Sequence, residues 1–423
     1  METYGKLLNI TVPIFLFLFL IEKYVEWRRG AKVIRGLDSV SSFSSGITNV
    51  VKDVLGIGFS LIAYSWLVEH LAIFEIKETV LTYIIGFIVV DFYGYWGHRL
   101  NHSINFLWNR HIIHHSSEEF NLSCALRQTV SAFFNYFTVF LIPAAILGVP
   151  AKVIAVIGPI HLFLQYWYHT RLIGKLGWLE YVIVTPSHHR VHHAINAEYL
   201  DKNHGQIFIF WDKWFGTFQE ELSTVPPVYG VTRPVRTWNP IKINFQHFFL
   251  MFRDAWHTQN WWNKTRIWFM PTGWRPADVL QRFPVDSIKD VHTYEKFDTY
   301  GSRALIRWSW VQMIFTYFLL TYFFAYIGKI GAPNIFYYGA FIVISVYAYT
   351  ELMDKNPNAV YMEALKSAIG LSLIYWLGDW FGANQYAPFY TYVAGVYFVI
   401  SPFVAAWFVL YEFKTSNKMV MGN

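Results

Sequence analysis

The sequence predicts an all-α, polytopic membrane protein of about 8–9 transmembrane helices, with a histidine-rich helical metal site on the cytosolic side. Three observations support this prediction. Hydrophobic residues make up 54% of the chain and charged residues only 15%, whereas soluble domains carry about 25% charged residues. Nine apolar runs approach the length of a membrane span. Histidines recur at helical spacing in three short segments near the middle of the chain.

The apolar runs define the predicted spans, because a helix needs about 20 apolar residues to cross a bilayer. They cover 8–27, 54–74, 79–97, 130–149, 151–169, 308–328, 334–350, 364–381 and 389–411. The runs at 130–149 and 151–169 form a hairpin that need not cross fully. We therefore divide the chain into N-terminal anchor helices (1–75), a histidine-rich catalytic core (76–220), a cytosolic or interfacial amphipathic segment (221–305) and a C-terminal four-helix membrane block (306–423).

The charge distribution indicates a membrane protein and not a nucleic-acid-binding one. The net charge is +6, but the basic residues lie in loops between apolar runs, as the positive-inside rule expects. Lys23, Arg28 and Arg29 follow the first run, which places that end, and with it every histidine cluster, in the cytosol. The membrane is the endoplasmic reticulum in a eukaryote or the inner membrane in a bacterium. The single cysteine, Cys124, excludes an intramolecular disulfide and a cysteine-based metal site.

Eleven of the sixteen histidines fall between positions 98 and 193. Three clusters have i, i+3 or i+4 spacing, which puts side chains on one helical face. Eight ligands are too many for one tetrahedral zinc ion and suit two metal ions with open positions. The predicted metal ligands are His98, His102, His111, His114, His115, His189, His192 and His193, with His169 as a ninth. His161 is expected to be structural or close to the substrate.

Ligating histidines need hydrogen-bond acceptors for their second ring nitrogen. Asp91 and Asp212 are the predicted acceptors, and Asn203 is a further polar contact. Glu118 and Glu119 either lie near the metals or form a solvated face, and the second interpretation is slightly favoured. The aromatic and basic stretch around 248–270 predicts either a helix in the membrane interface or an ordinary buried helix.

Three other classes of protein fit the sequence less well. The spacing of His98 and His111, and of His102 and His115, resembles that of a bis-haem protein, but 98–115 is too polar for a membrane span. A metal transporter should carry ionisable residues along several spans, and the C-terminal runs offer only Lys366 and Asp379 near their ends. A purely structural membrane protein does not account for clustered histidines.

Longer motifs carry a family resemblance. The HxxxH, HxxHH and HxxHH clusters, "DFYGYWGHR" and "WDKWFGTF" resemble the fatty acid hydroxylase/sterol desaturase superfamily over about 85–220. "HHSSEEFNLSCALRQT" and "VYGVTRP" resemble its alkylglycerol monooxygenase branch. The resemblance implies two iron ions, O2, a lipid substrate, and hydroxylation beside the ether oxygen of a glyceryl ether, releasing a fatty aldehyde. Sterol or fatty acyl hydroxylation or desaturation is the alternative.

The resemblance also implies an electron donor. Animal members of the branch use tetrahydrobiopterin, and an acidic residue follows the second histidine of their first cluster. Ser103 stands at that position here, so the donor is either tetrahydrobiopterin or another reductant. His204 in "DKNHG" is a second departure, because the family pattern predicts an aromatic or small residue there.

Overall fold

The computed structural model describes residues 2–57, 59–60, 63–131, 134–135 and 137–413. These residues form eighteen α-helices. In chain order, α1 to α18, they are Glu2–Arg29, Gly36–Val54, Tyr64–Leu71, Val80–Ser103, Asn105–Trp108, Ile112–His115, Ile142–Ile146, Ala151–Phe163, Pro186–His192, Phe210–Trp214, Pro240–His257, Trp261–Arg266, Ala277–Arg282, Arg303–Ile330, Asn334–Met353, Ala359–Leu377, Ala383–Tyr386 and Phe389–Trp407.

The remaining regular structure is short. Cys124–Leu126, Phe137–Leu141 and Gly177–Tyr181 form 3-10 helices, and Phe408–Glu412 is π-helical. Two strands of two residues each, β1 (Phe59–Ser60) and β2 (Phe134–Asn135), pair in parallel. The regular secondary structure of the described chain is therefore almost entirely helical, as predicted.

Five helices of the described chain are long and apolar enough to cross a membrane. They are Leu7–Arg29 within α1, α4, α14, α15, and α18 with its extension to Glu412. The predicted run at 151–169 contains α8, which has only 13 residues. The runs at 54–74 and 130–149 lie partly outside the described residues, and the described parts contain only short helices. Gly56 and Gly148 adopt left-handed φ values of 65° and 82°, which end helices in these runs.

The helix α2 was not predicted, because it is rich in serine and carries no apolar run. It packs against α14 and α15, and its hydroxyl groups are satisfied inside the protein. The Ser44 hydroxyl, for example, donates to the Val40 carbonyl at 2.6 Å and lies 2.6 Å from the Tyr349 hydroxyl. Phe19 of α1, Val40 of α2 and Phe323 of α14 belong to one buried core. The N-terminal helices and the C-terminal block therefore pack together.

A buried ion pair lies inside the C-terminal block. Lys366 and Glu363 on α16 are in contact, and neither side chain is accessible to solvent. The Lys366 ammonium also donates to Gln312 Oε1 at 3.3 Å and to the Tyr397 hydroxyl at 3.2 Å. The sequence interpretation missed Glu363 because it began this run at residue 364, whereas α16 begins at Ala359. The pair joins α14, α16 and α18.

Glu118 and Glu119 do not form a solvated face, so that interpretation is wrong. Both are buried. Glu118 accepts hydrogen bonds from the Tyr294 hydroxyl and the Phe297 amide, each at 2.5 Å. Glu119 is paired with three cations, Arg35, Arg171 and Lys296. These carboxylates bind the linker before α14 to the histidine-rich core. The partners are distant from each other in the sequence, so the local residue pattern could not predict the contact.

Candidate metal centre

The nine predicted histidines come together in two adjacent groups. We call His98, His102, His111, His115 and His192 the first histidine group, and His114, His169, His189 and His193 the second. Within each group, one ring nitrogen from every member lies within 4.8 Å of the others. Nine imidazoles from positions 98 to 193 thus share one centre, and each group is large enough to hold one metal ion.

Local helices position most of these rings. His98 and His102 lie one turn apart in the last part of α4, and His114 and His115 end the one-turn helix α6. His189 and His192 belong to α9, which begins with a capping box at Thr185 and Pro186 at its first position. The i, i+3 and i+4 spacing therefore aims the rings to one side, as predicted. His169 comes from the turn after α8 and joins the second group through tertiary contact.

The ring nitrogens converge at short distances. In the first group, His111 Nε2 lies 2.8 Å from His98 Nε2 and 3.0 Å from His115 Nε2. In the second group, His189 Nε2 lies 2.9 Å from His169 Nε2 and 3.0 Å from His193 Nε2. His114 Nε2 is 3.2 Å from His193 Nε2. Such convergence of donor nitrogens is the arrangement that a metal ion requires.

Burial favours the neutral form of most of these imidazoles, and the neutral form is the one that binds metals. Desolvation is the main cause that lowers the pKa of His114 to about 3. The same cause holds the pKa of His111, His115, His169 and His189 well below the ordinary value. Several buried ring nitrogens have no hydrogen-bond partner in the described chain, namely His102 Nε2, His189 Nδ1 and His192 Nε2. Unpaired buried acceptors are costly, and a metal ion bound by the Nε2 atoms would satisfy those of His102 and His192. The donor set therefore fits a pair of transition-metal ions.

One loop orients most of the first group. We call residues 201–204 the acceptor loop. His98 Nδ1 donates to the His204 carbonyl at 2.8 Å, and His192 Nδ1 donates to the Lys202 carbonyl at 2.9 Å. His102 Nδ1 lies 3.3 Å from the Asp201 carboxylate. Hydrogen bonds of this kind fix the tautomer and leave Nε2 free for a metal.

Asp212 acts on the first group through the acceptor loop. Its carboxylate accepts from the amides of His204 and Gly205, each at 2.7 Å, and from the Thr217 hydroxyl at 2.7 Å. Asp212 contacts no ring of either group. Its predicted hydrogen bond to a histidine ring is therefore absent, and the carboxylate binds the backbone of the acceptor loop. Asn203 braces the same loop, because its amide donates to the Gln219 carbonyl at 2.7 Å and to the His188 carbonyl at 3.1 Å.

Asp91 serves a different purpose from the one predicted. It accepts from His161 Nε2 at 2.7 Å, from the Ile207 amide at 2.9 Å and from Trp211 Nε1 at 2.8 Å. It contacts none of the nine histidines, because seven residues of α4 separate it from His98 along the helix axis. Asp91 therefore holds the segment before α10 against α4. His161 is fixed by that bond, in line with the prediction that it is structural or close to the substrate.

The second group is oriented from other elements. His169 Nδ1 donates to the Gln165 carbonyl at 3.0 Å, and His114 Nδ1 to the Arg127 carbonyl at 3.3 Å. Arg127 is itself buried and donates to Asp38 of α2 at 2.7 Å. The unpredicted helix α2 therefore supports the metal centre through Arg127.

A cavity of about 550 Å³ opens beside the histidines. Members of both groups line it, including His98 and His111 from the first and His114, His169 and His189 from the second. Leu8, Phe15 and Leu162 line an apolar part of its wall, and Asn49, Asp53 and Gln128 contribute polar groups. The cavity thus offers both an apolar surface and polar groups beside the two histidine groups.

Comparison with known proteins identifies the family. The family model described as Fatty acid hydroxylase matches residues 83–217. The alkylglycerol monooxygenase of Homo sapiens is 34% identical over 85% of this chain and 81% of its own length. The chain belongs to the alkylglycerol monooxygenase family. Members from Xenopus tropicalis and Danio rerio are 31% and 29% identical, with 80% and 82% of their lengths covered. No solved structure was found to match the chain.

The hydrogen bonds from the acceptor loop to the histidine rings are the part of the site that the sequence did not predict, although Asn203 of that loop was a predicted polar contact. Two of its three acceptors are backbone carbonyls, which carry no residue signature. The third, Asp201, lies 99 residues from His102 along the chain. The one available signal was His204, an unexpected histidine in the family pattern.

Proposed function

We propose that the protein is a membrane-bound, iron-dependent monooxygenase that hydroxylates alkylglycerols at the carbon beside the ether oxygen. The observation that carries this proposal is the cavity whose wall is partly apolar and partly formed by both histidine groups. It places a lipid chain and a metal centre within reach of each other. Membership of an alkylglycerol monooxygenase family agrees with this chemistry.

Two iron ions are the proposed cofactor, one in each histidine group. Neutral imidazole is a suitable ligand for iron, and the family is iron-dependent. When bound, the iron would activate O2 for insertion into a C–H bond. One oxygen atom then enters the substrate, while the other leaves as water with two electrons from the reductant and two protons. The resulting hemiacetal breaks to a fatty aldehyde and a glycerol derivative.

The residues of the cavity would orient the substrate. Leu8, Phe15 and Leu162 would hold the alkyl chain, because burying a methylene group contributes about 0.8 kcal/mol. The polar groups of Asn49, Asp53 and Gln128 would hydrogen-bond the glycerol hydroxyls. The ether linkage between these two parts would then lie beside the histidines, with the reacting carbon closest to them.

Tetrahydrobiopterin or another reductant is the proposed electron donor. Ser103 is exposed at the end of α4, and its hydroxyl donates to the Arg99 carbonyl at 2.7 Å. Without the acidic side chain of the animal pattern, a pterin would need a different polar partner here. The assay described below is therefore run with and without tetrahydrobiopterin, and its result decides whether this pterin is the electron donor.

The proposed location of the centre is the cytosolic face of a membrane, the endoplasmic reticulum in a eukaryote or the inner membrane in a bacterium. The basic end of α1, at Arg28 and Arg29, supports this orientation. The segment 221–305 is proposed to rest on the membrane surface, because Trp256, Trp261 and Trp262 are largely exposed. Amphipathic rings of this kind favour the headgroup region.

The test is fatty aldehyde release from an alkylglycerol by purified, iron-loaded protein in air, with and without tetrahydrobiopterin. His114→Ala is the inactive control, because His114 belongs to the second group and lines the cavity. We expect aldehyde from the ether lipid, none from the matched acylglycerol, and none from the variant. The proposed substrate would be contradicted if the iron-loaded protein released no aldehyde, with or without tetrahydrobiopterin, and yet oxidised sterols or acyl lipids.

A further inference from the structure

His204 is a buried histidine with no assigned task. Only 2% of its surface is accessible, and neither ring nitrogen has a hydrogen-bond partner in the described chain. An imidazole buried without partners is costly, since each unsatisfied polar group costs about 1–3 kcal/mol. Elsewhere among the described residues, unpartnered buried histidine nitrogens occur at His102, His189 and His192, all members of the two groups.

The His204 ring lies beside the first histidine group. Its centroid is 5.1 Å from that of His102, and 5.7 Å from those of His98 and His192. Ring centroids within the first group are themselves separated by distances such as 4.3 Å for His98 and His192 and 6.2 Å for His111 and His192. His204 therefore flanks the first group on the side of three of its five members, His98, His102 and His192.

The backbone holds His204 in place. The Asp212 carboxylate accepts from its amide at 2.7 Å, and His98 donates to its carbonyl at 2.8 Å. The preceding residue, Asn203, adopts a left-handed φ of 56° and is braced through its side chain. A nitrogen of His204, a nitrogen of His102 and a carboxylate oxygen of Asp201 all lie within 4.8 Å of one another.

We propose that His204 is a tenth metal-binding histidine, which coordinates the iron ion of the first group from the side of His102. This inference rests on the proposed metal centre and extends it. The first position then has six histidines and the second has four. The coordination positions left for exchange therefore belong to the second iron ion. His98 and His111 of the first group line the cavity together with His114, His169 and His189 of the second. The lipid thus lies beside both metal positions, but only the second can exchange a ligand.

The test is the Mössbauer spectrum of protein loaded with iron-57, together with the rate at which a chelator removes each iron. In His204→Phe we expect one of two iron signals to change while the other stays, and about tenfold or faster release of one iron. His247→Phe is the matched control, because His247 is buried and bonded to the Asn105 carbonyl outside both groups. Its spectrum should equal that of the wild type.

Rescue separates coordination from packing. In His204→Ala, added imidazole should restore the wild-type spectrum, which a purely space-filling role would not allow. Unchanged spectra and release rates in the folded variants would overturn the proposal while leaving the di-iron centre intact. If neither variant folds, the structure of the iron-loaded wild type decides, since a ligating nitrogen must lie about 2.0–2.3 Å from the metal. A wild type that binds no iron would instead refute the proposed metal centre itself.

Discussion

His98 donates through Nδ1 to the backbone carbonyl of His204, 2.8 Å away and 106 residues later in the chain. This bond joins the end of α4 to the acceptor loop. It fixes which nitrogen of His98 faces the other rings, since Nε2 then lies 2.8 Å from His111 Nε2. The geometry of the first group therefore depends on a loop that holds its shape without regular secondary structure.

Asp212→Asn should weaken metal binding by the first group. An amide can accept from only part of the set that the carboxylate satisfies, so one buried backbone amide of the acceptor loop loses its partner. We expect about 10–100-fold weaker binding of one iron and little change in the other. Competition with a chelator measures both affinities. Asp354→Asn is the matched control, because Asp354 also accepts from a threonine hydroxyl and a backbone amide, those of Thr237 and Trp238, which do not belong to the acceptor loop. Equal iron affinities in the two variants would refute this role for Asp212.

Gly158→Leu should restrict the protein to alkylglycerols with shorter alkyl chains. Gly158 lies in α8 and lines the cavity, and a Cβ there meets no atom within 4 Å. A leucine side chain would occupy the space proposed for the alkyl chain. We expect turnover of long-chain alkylglycerols to fall about tenfold or more, with short-chain turnover and iron content unchanged. Gly395→Leu is the control, because this glycine also has open space but does not line the cavity. An equal loss for short and long chains would argue against this path.

Asp354 should make stability depend on pH. Burial is the main cause that raises its pKa from 3.8 to about 6. Because the folded-state pKa lies above the unfolded value, the contribution of this group is fully present below about pH 4 and is lost as pH rises through 6. The difference is about 3 kcal/mol. The apparent Tm in detergent, measured from pH 4 to pH 7, should fall less steeply for Asp354→Asn than for the wild type. Parallel curves of Tm against pH for the two proteins would contradict this role of Asp354.

The exposed tryptophans of the segment 221–305 should contact lipid. Trp256, Trp261 and Trp262 expose 72%, 79% and 66% of their surfaces. Brominated lipids in reconstituted vesicles should quench their fluorescence, and Trp261→Ser with Trp262→Ser should remove part of that quenching without lowering Tm. The buried Trp380, replaced by Phe, serves as the control that leaves the quenching unchanged. Quenching that is as strong in the double variant as in the wild type would place this segment away from the membrane surface.

The sequence was informative wherever function depends on local spacing. His111, His114 and His115 could be assigned to one face because helical periodicity alone determines their relative direction. Membrane character followed from composition in the same way. The pairing of α4 with the acceptor loop could not be predicted, because the acceptors at Lys202 and His204 are backbone carbonyls available in any sequence.

Tertiary context overrode the remaining expectations. The polar helix α2 is buried because its serine hydroxyls find partners such as Tyr349, which no hydropathy pattern reveals. Glu119 is buried because Arg171 and Lys296 come from distant segments to pair with it. Gly56 and Gly148 adopt left-handed φ values just after the ends of α2 and α7, near the edges of two runs that composition alone would extend into spans.

The most direct test of a two-iron centre that oxidises an ether lipid is an iron titration. Metal-free protein is loaded with increasing iron, and both iron bound per chain and aldehyde released from an alkylglycerol are measured at each step. The account predicts that activity reaches its plateau at about two irons per chain, one for each histidine group. His114→Ala should bind less iron and release no aldehyde. Full activity with a single iron, or aldehyde release independent of iron, would contradict the account.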